Sequence, residues 1–243
     1  IPAASDTSVL QEVKVPDPEL WSVDAPSLYR AVSTVRIGGR TVDRYETPFG
    51  IRFMRFDADQ GFFLNGEPLK ILGVCLHHDL GCLGTAINRR ALERQLEILK
   101  EMGCNAIRTS HNPPAPELLE LCDRMGFLVQ DEAFDMWRKR KSEYDYSRDF
   151  PEWYERDLTD HILRDRNHPS VFMWSIGNEV YEQFDDVRAD TLTLQQANVL
   201  LNVPRTARAA GGTDSAFNIN SWIAVQLARI VKSLDTTRAV TSG

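Results

Sequence analysis

The apolar run Val171-Phe-Met-Trp-Ser-Ile176 ends in Gly177-Asn178-Glu179. A carboxylic acid fixed at a strand end can hand a proton to a leaving oxygen, and the amide beside it can hold a hydroxyl. Breaking a glycosidic bond needs such an acid and a second carboxylate across the sugar plane, acting as nucleophile or base. A lone Asn-Glu pair also reads as a surface glutamate capping the next helix. The neighbouring segments favour chemistry. Three other apolar runs end in capable polar residues: His77-His78-Asp79, Arg108 with His111-Asn112, and Asp131-Glu132.

Placing four such ends side by side requires parallel strands. The chain alternates strands expected at Ile71–Leu76, Asn105–Ile107, Phe127–Gln130, Val171–Ile176 and Ala239–Thr241 with helices at Asn88–Met102, Pro116–Met125 and Trp153–Asp165. In the first helix Leu92, Leu96 and Leu99 keep helical spacing, and Gly103 and Gly126 close the first two helices. Near-continuous apolar strands alternating with helices are parallel strands covered by helices. A (β/α)8 barrel gathers its site at the C-terminal strand ends, whereas a doubly wound sheet confines it to one switch point. Residues 55–243 are therefore expected to form the N-terminal part of a TIM barrel, five strands of eight. The stretch at about 188–221 reads as an insertion beside the mouth or a surface excursion, with helix-like residues at Thr191–Leu201. Residues 1–54 alternate as β-strands do, at Leu10–Val15, Leu28–Ile37 and Arg40–Arg44, with Gly38-Gly39 as a hairpin turn. These are too few for a sandwich of about seven strands. Phe62-Phe-Leu64 with Asn65-Gly66 makes a further hairpin.

Composition narrows the partners. With 243 residues, 42% hydrophobic and 26% charged, the chain can bury a sizeable core. A net charge of −7 lacks the basic footprint of nucleic-acid binding. The run Arg138-Lys-Arg-Lys141, followed by acids, reads as a solvated loop. No stretch has the roughly 18–20 apolar residues of a membrane span, and no leader pattern opens at Ile1. The four cysteines form no CxxC pair and no zinc-like spacing with histidine, and Cys104 and Cys122 read as buried thiols. Nothing in the sequence specifies a compartment.

Taken in order, Asn105-Ala-Ile-Arg-Thr-Ser-His-Asn-Pro113, Leu121-Cys-Asp-Arg-Met-Gly126, Asp131-Glu-Ala133, Arg164-Asp-Arg-Asn-His-Pro169 and Trp174-Ser-Ile-Gly-Asn-Glu179 resemble glycoside hydrolase family 2. Gly73-Val-Cys-Leu-His-His-Asp79 resembles its β-galactosidase branch. Leu20-Trp-Ser with Leu28-Tyr29 is similar to the end of the immunoglobulin-like β-sandwich that precedes the family's barrel, so 1–54 is expected to be the C-terminal part of such a domain. The resemblance covers residues 20–188 and resumes near 222.

The resemblance implies roles residue by residue. Glu179 would be the general acid/base of a retaining double displacement on a terminal β-galactoside, and Asn178 would bind the 2-hydroxyl. His111 would contact sugar hydroxyls, Arg108 would point into the barrel and order carboxylates, and His77, His78 and Asp79 would line the sugar subsite. Asp135 and Trp137 would grip the sugar by hydrogen bonds and a stacking ring. Arg108 with Asp131 reads equally as a buried ion pair, and Glu132 divides between barrel support and the site. His168 and Trp174 read as structural, and His161 as solvent-facing on its helix. Some family members bind magnesium through Glu-x-His after the third strand; Phe134-Asp-Met-Trp137 supplies no such pattern, so no metal or cofactor is expected. The family's nucleophile is a glutamate after strand seven, which these residues do not reach, so the chain alone is expected to be inactive. β-Glucuronidase or β-mannosidase activity, and a non-catalytic carbohydrate-binding role, are the alternatives. Unpaired barrel edges would favour self-association or a longer chain.

Overall fold

The computed structural model describes residues 5–180 and 219–242, so most of the stretch at about 188–221, with the expected helix at 191–201, lies outside the described residues. Five parallel strands form one sheet: β6 (Gly73–His77), β7 (Ala106–Ser110), β8 (Leu128–Glu132), β9 (Val171–Ser175) and β10 (Ala239–Thr241). They lie side by side in chain order. Between them run α1 (Arg89–Glu101), α2 (Pro116–Met125), α3 (Phe150–Asp165) and α4 (Ile219–Leu234). A sheet that never reverses its strand order has no switch point, and this is part of a TIM barrel.

Local chemistry sets the helix ends. Asn88 caps α1 by accepting the Ala91 N–H at 3.0 Å, and Gly103 (φ +87°) follows its last turn. Pro116 begins α2, where its missing N–H costs nothing. Gly126 ends it at φ +70°, and a Cβ there would lie 2.2 Å from the Val23 carbonyl oxygen. That close approach docks the N-terminal segment under the barrel, where Trp21, fully buried, donates to the Asp123 carbonyl at 2.8 Å.

The sheet has a core on each side. Ile107, Val129, Val171 and Trp174 face the four helices, against Leu96, Leu119, Leu158 and Leu227. A register shift between β8 and β9 lets both Val171 and Trp174 face that layer. Before the barrel, β3 (Met54–Asp57), β4 (Gly61–Leu64) and β5 (Glu67–Pro68) form a meander whose Phe62 and Leu64 pack with Trp21 on Ala106, Leu128 and Phe172. These are early residues of their strands, so the meander covers the end opposite the polar residues. The hairpin β1 (Tyr29–Ile37) and β2 (Arg40–Phe49) turns at Gly38-Gly39, both at positive φ.

Three expectations change. Leu10–Val15 is not a strand: it has no partner to pair with among the described residues, and Leu10 is 98% exposed. A helix, α4, occupies 219–234, where no helix is expected from the sequence; Ile223, Leu227 and Val231, spaced by four, are its buried face. His161 does not face solvent but is 5% exposed, its Nε2 lying 2.9 Å from Asp131 Oδ1 and 3.3 Å from Asp165 Oδ2. Asp131 points out of β8 into the helix layer and needs a counter-charge there. No helix among the described residues is long and apolar enough to cross a membrane.

The Asp131, His161 and Asp165 donor atoms lie within 4.8 Å of one another. Arg164 also holds Asp165 through two 2.6 Å bonds, so two cations already balance the two carboxylates. Burial alone would lower the His161 pKa, but Asp131 and then Asp165 outweigh it and raise it from 6.5 to about 9. A histidine raised on folding stabilises fully below its unfolded pKa, and the gain disappears as pH rises through the folded value. The stability gap between this protein and a His161→Gln variant should therefore be widest near pH 6, about 3 kcal/mol at most, and close by pH 10. Thermal unfolding across that range measures it, and a gap independent of pH would contradict the assignment.

Candidate active site

At the C-terminal ends of β7, β8 and β9 the polar side chains converge on Glu132. Its side chain is fully buried. One carboxylate oxygen accepts from Arg108 Nε (2.9 Å), Arg108 Nη2 (2.8 Å) and Ser175 Oγ (2.6 Å). The other accepts from His111 Nδ1 at 2.6 Å. Its backbone N–H donates to Thr109 Oγ1 at 2.9 Å. Burial would lower the Arg108 pKa, but the Glu132 hydrogen bond and charge outweigh it and raise it.

The expected Arg108–Asp131 pair is therefore corrected to Arg108–Glu132. Successive strand residues point to opposite faces, so Asp131 enters the helix layer and Glu132 the barrel interior. Ser175 lies in register with Glu132 on β9, which is why its hydroxyl reaches the same carboxylate.

Arg108 Nη2 also donates to Asn178 Oδ1 at 2.8 Å. The Asn178 side-chain amide donates to Asp135 Oδ1 (2.9 Å) and its backbone N–H to the Phe134 carbonyl (3.0 Å). Asn178 is thus held from β7 and from the segment after β8. Burial would raise the Asp135 pKa, but hydrogen bonds from Asn178 and Lys141 outweigh it and lower it. Glu179 follows, exposed, with its backbone in the left-handed region at φ +41°. For a non-glycine residue that conformation costs on the order of 1 kcal/mol and persists only where the surroundings impose it.

His77 packs edge-on against His111, ring centroids 5.1 Å apart. His78 and Asp79 turn to their own loop: His78 Nε2 lies 3.1 Å from the Thr85 carbonyl, and Asp79 Oδ1 accepts the Gly81 N–H. All three line a cleft of about 940 Å³ together with His111, Asn112 and Asp135. Trp137 cannot stack on a sugar as expected, because it is fully buried. Its indole N–H donates to the Ile176 carbonyl at 2.8 Å, and its ring lies where a Cβ on Gly177 would be.

Two participants are only weakly marked in the sequence. Glu132 divides there between barrel support and the site, although strand parity with Arg108 makes it the centre. Composition places Lys141 in a solvated loop. Its ammonium instead donates to Asp135 Oδ1 at 2.7 Å and to the Asn178 carbonyl at 2.6 Å. The usable signal was Asp145, whose carboxylate accepts the Lys141 and Ser142 N–H groups and folds the run back.

Known proteins share this arrangement of segments. The family model described as "Glycosyl hydrolases family 2, TIM barrel domain" matches residues 57–206, and that described as "Glycosyl hydrolases family 2" matches residues 2–52. A protein named beta-galactosidase BoGH2A, from Bacteroides ovatus, is 58% identical over 243 residues, covering 99% of this chain and 28% of that protein. A putative beta-glucuronidase from Formosa agariphila is 44% identical over 180 residues, 74% of this chain and 17% of its own. The crystal structure of a family 2 member from Bacteroides cellulosilyticus superposes with a TM-score of 0.77 at 42% identity, covering 93% of this chain and 25% of that one. That of a Parabacteroides merdae beta-glucuronidase gives 0.70 at 26% identity, covering 97% and 25%. The chain spans between about a sixth and about a quarter of the length of these relatives.

The Glu132 pairing carries its own prediction. Arg108→Met should lower unfolding free energy by about 3–5 kcal/mol, because it strands a buried carboxylate. Adding Glu132→Gln should recover at least about 1 kcal/mol of that loss. A double variant whose cost in denaturant equals the sum of the single costs would contradict the pairing.

Proposed function

The chain belongs to glycoside hydrolase family 2, and from that premise we propose that it carries the acid/base half of a retaining exo-glycosidase that releases terminal β-galactosyl residues. Glu179 protonates the leaving oxygen as the glycosidic bond breaks, then draws a proton from water as that water releases the sugar from a covalent glycosyl-enzyme. The nucleophile is a carboxylate from a later strand of the same barrel. The observation that carries the proposal is the fixing of Asn178, from two sides, immediately before Glu179 at the end of β9. Among the described residues its amide donates one hydrogen, to Asp135, which leaves the other for a hydroxyl, as a 2-hydroxyl contact requires.

His77 and His111 face the cleft and offer ring nitrogens to the other hydroxyls. Arg108 acts through Glu132 and Asn178, not on the sugar. His78 and Asp79 shape the wall through the loop after β6.

The choice of galactose over glucuronate rests on the His77-His78-Asp79 run at the end of β6, which resembles the β-galactosidase branch. The 58% identical relative bears the name beta-galactosidase. A β-glucuronidase is the second reading, favoured by the names of the Formosa and Parabacteroides proteins.

In the full-length protein, a chromogenic β-galactoside should be hydrolysed at least roughly tenfold more efficiently than the β-glucuronide or β-mannoside, and Glu179→Gln should lower kcat by roughly 10²–10⁴. Preference for the glucuronide would overturn the sugar assignment. An active Glu179→Gln enzyme would overturn the acid.

A further inference from the structure

We propose that Lys141 is a positioning residue for Glu179, acting through the Asn178 carbonyl and the Asp135 carboxylate; this rests on the acid role given above to Glu179. Its ammonium donates to Asn178 O at 2.6 Å and to Asp135 Oδ1 at 2.7 Å, and its side chain is only 15% exposed. The Asn178 carbonyl belongs to the peptide plane from which the φ of Glu179 is measured. Holding that oxygen sets the orientation of the plane, and from it Glu179 departs into the left-handed region at φ +41°. Without a fixed plane, a non-glycine residue relaxes to ordinary backbone and carries its carboxyl elsewhere.

The second bond works on the same target. Asp135 Oδ1 accepts from both Lys141 and the Asn178 amide, so the ammonium keeps this carboxylate placed as the acceptor that orients Asn178. The lysine is itself held. Asp145 accepts the Lys141 N–H at 2.5 Å and the Ser142 N–H at 2.8 Å, and its other oxygen accepts from Ser147. Tyr146 stacks on Phe134, the residue before Asp135, with ring centroids 5.5 Å apart and planes 13° apart. A charged side chain reaching inward from an anchored loop is built for a fixed contact rather than for solubility.

The test uses the full-length protein and β-galactosides whose leaving groups run from dinitrophenol to simple alkanols. Proton donation matters for alkanols and hardly at all for dinitrophenol, so misplacing the acid splits the series, while loss of folded enzyme lowers every member equally. Lys141→Met should cut kcat/KM for the alkyl galactoside roughly 30-fold and for the dinitrophenyl galactoside less than about threefold. Lys141→Arg should recover most of the alkyl activity. A uniform fall, or none, overturns the proposal; Lys141→Gln carries the same test if the methionine variant does not fold. Glu179→Gln on the same series separates the two claims. A steep split there with a uniform Lys141→Met response removes Lys141 alone, whereas no split for Glu179→Gln removes the acid role and this proposal with it.

Discussion

A buried carboxylate needs hydrogen-bond partners inside a protein, and Glu132 has recruited them from both neighbouring strands and from the segment after one of them. Arg108 on β7, Ser175 on β9 and His111 beyond β7 all donate to it, leaving no solvent around its oxygens. Desolvating a charge this completely costs several kcal/mol unless each lone pair is met. The donors must therefore arrive in fixed places, and fixing them fixes the strand ends. Arg108 carries the constraint onward to Asn178, so the residue before Glu179 is placed by the same charge that ties the strands together.

β8 buries a second carboxylate on its other face, less fully met: Asp131 Oδ1 faces His161, while Oδ2 has no hydrogen-bond partner among the described residues. Asp131 and Glu132 are neighbours in sequence yet lie in different layers, each with its own cations. The helix layer neutralises Asp131 with His161, alongside Arg164 on Asp165. Breaking either arrangement disturbs the shared strand. The opposite barrel end combines apolar cover from Trp21, Phe62 and Phe172 with charged groups of its own, Arg52 on the Pro169 and Val171 carbonyls and His168 on Asp123.

What the sequence revealed follows from which interactions are local. Caps, glycine closures and helical spacing act over a few residues, so Pro116–Met125 and Ala239–Thr241 were legible to the residue. So was the Gly38-Gly39 turn, since both positions need positive φ. Side-chain destinations were less legible. His161 is buried against Asp131 and the Trp174 ring, both far from it in sequence. The family resemblance implies a stacking ring at Trp137, but the absence of a side chain on Gly177 leaves room for the indole to turn inward. Lys141 lay in a run of four basic residues whose composition is that of a surface loop, and its inward turn depends on Asp145. The Leu10–Val15 alternation describes a strand only where a partner strand exists.

In the proposed mechanism, the network around Glu132 and Asn178 presents Glu179 as the proton donor and not as the nucleophile. The most direct measurement is the product formed by a full-length Glu179→Ala variant from dinitrophenyl β-galactoside in the presence of azide. If Glu179 is the acid/base, the activated leaving group departs without it, a galactosyl-enzyme accumulates, and azide releases it as β-galactosyl azide with faster turnover. Formation of the α-azide would mean that Glu179 is the nucleophile, and no acceleration by azide would remove it from the chemistry.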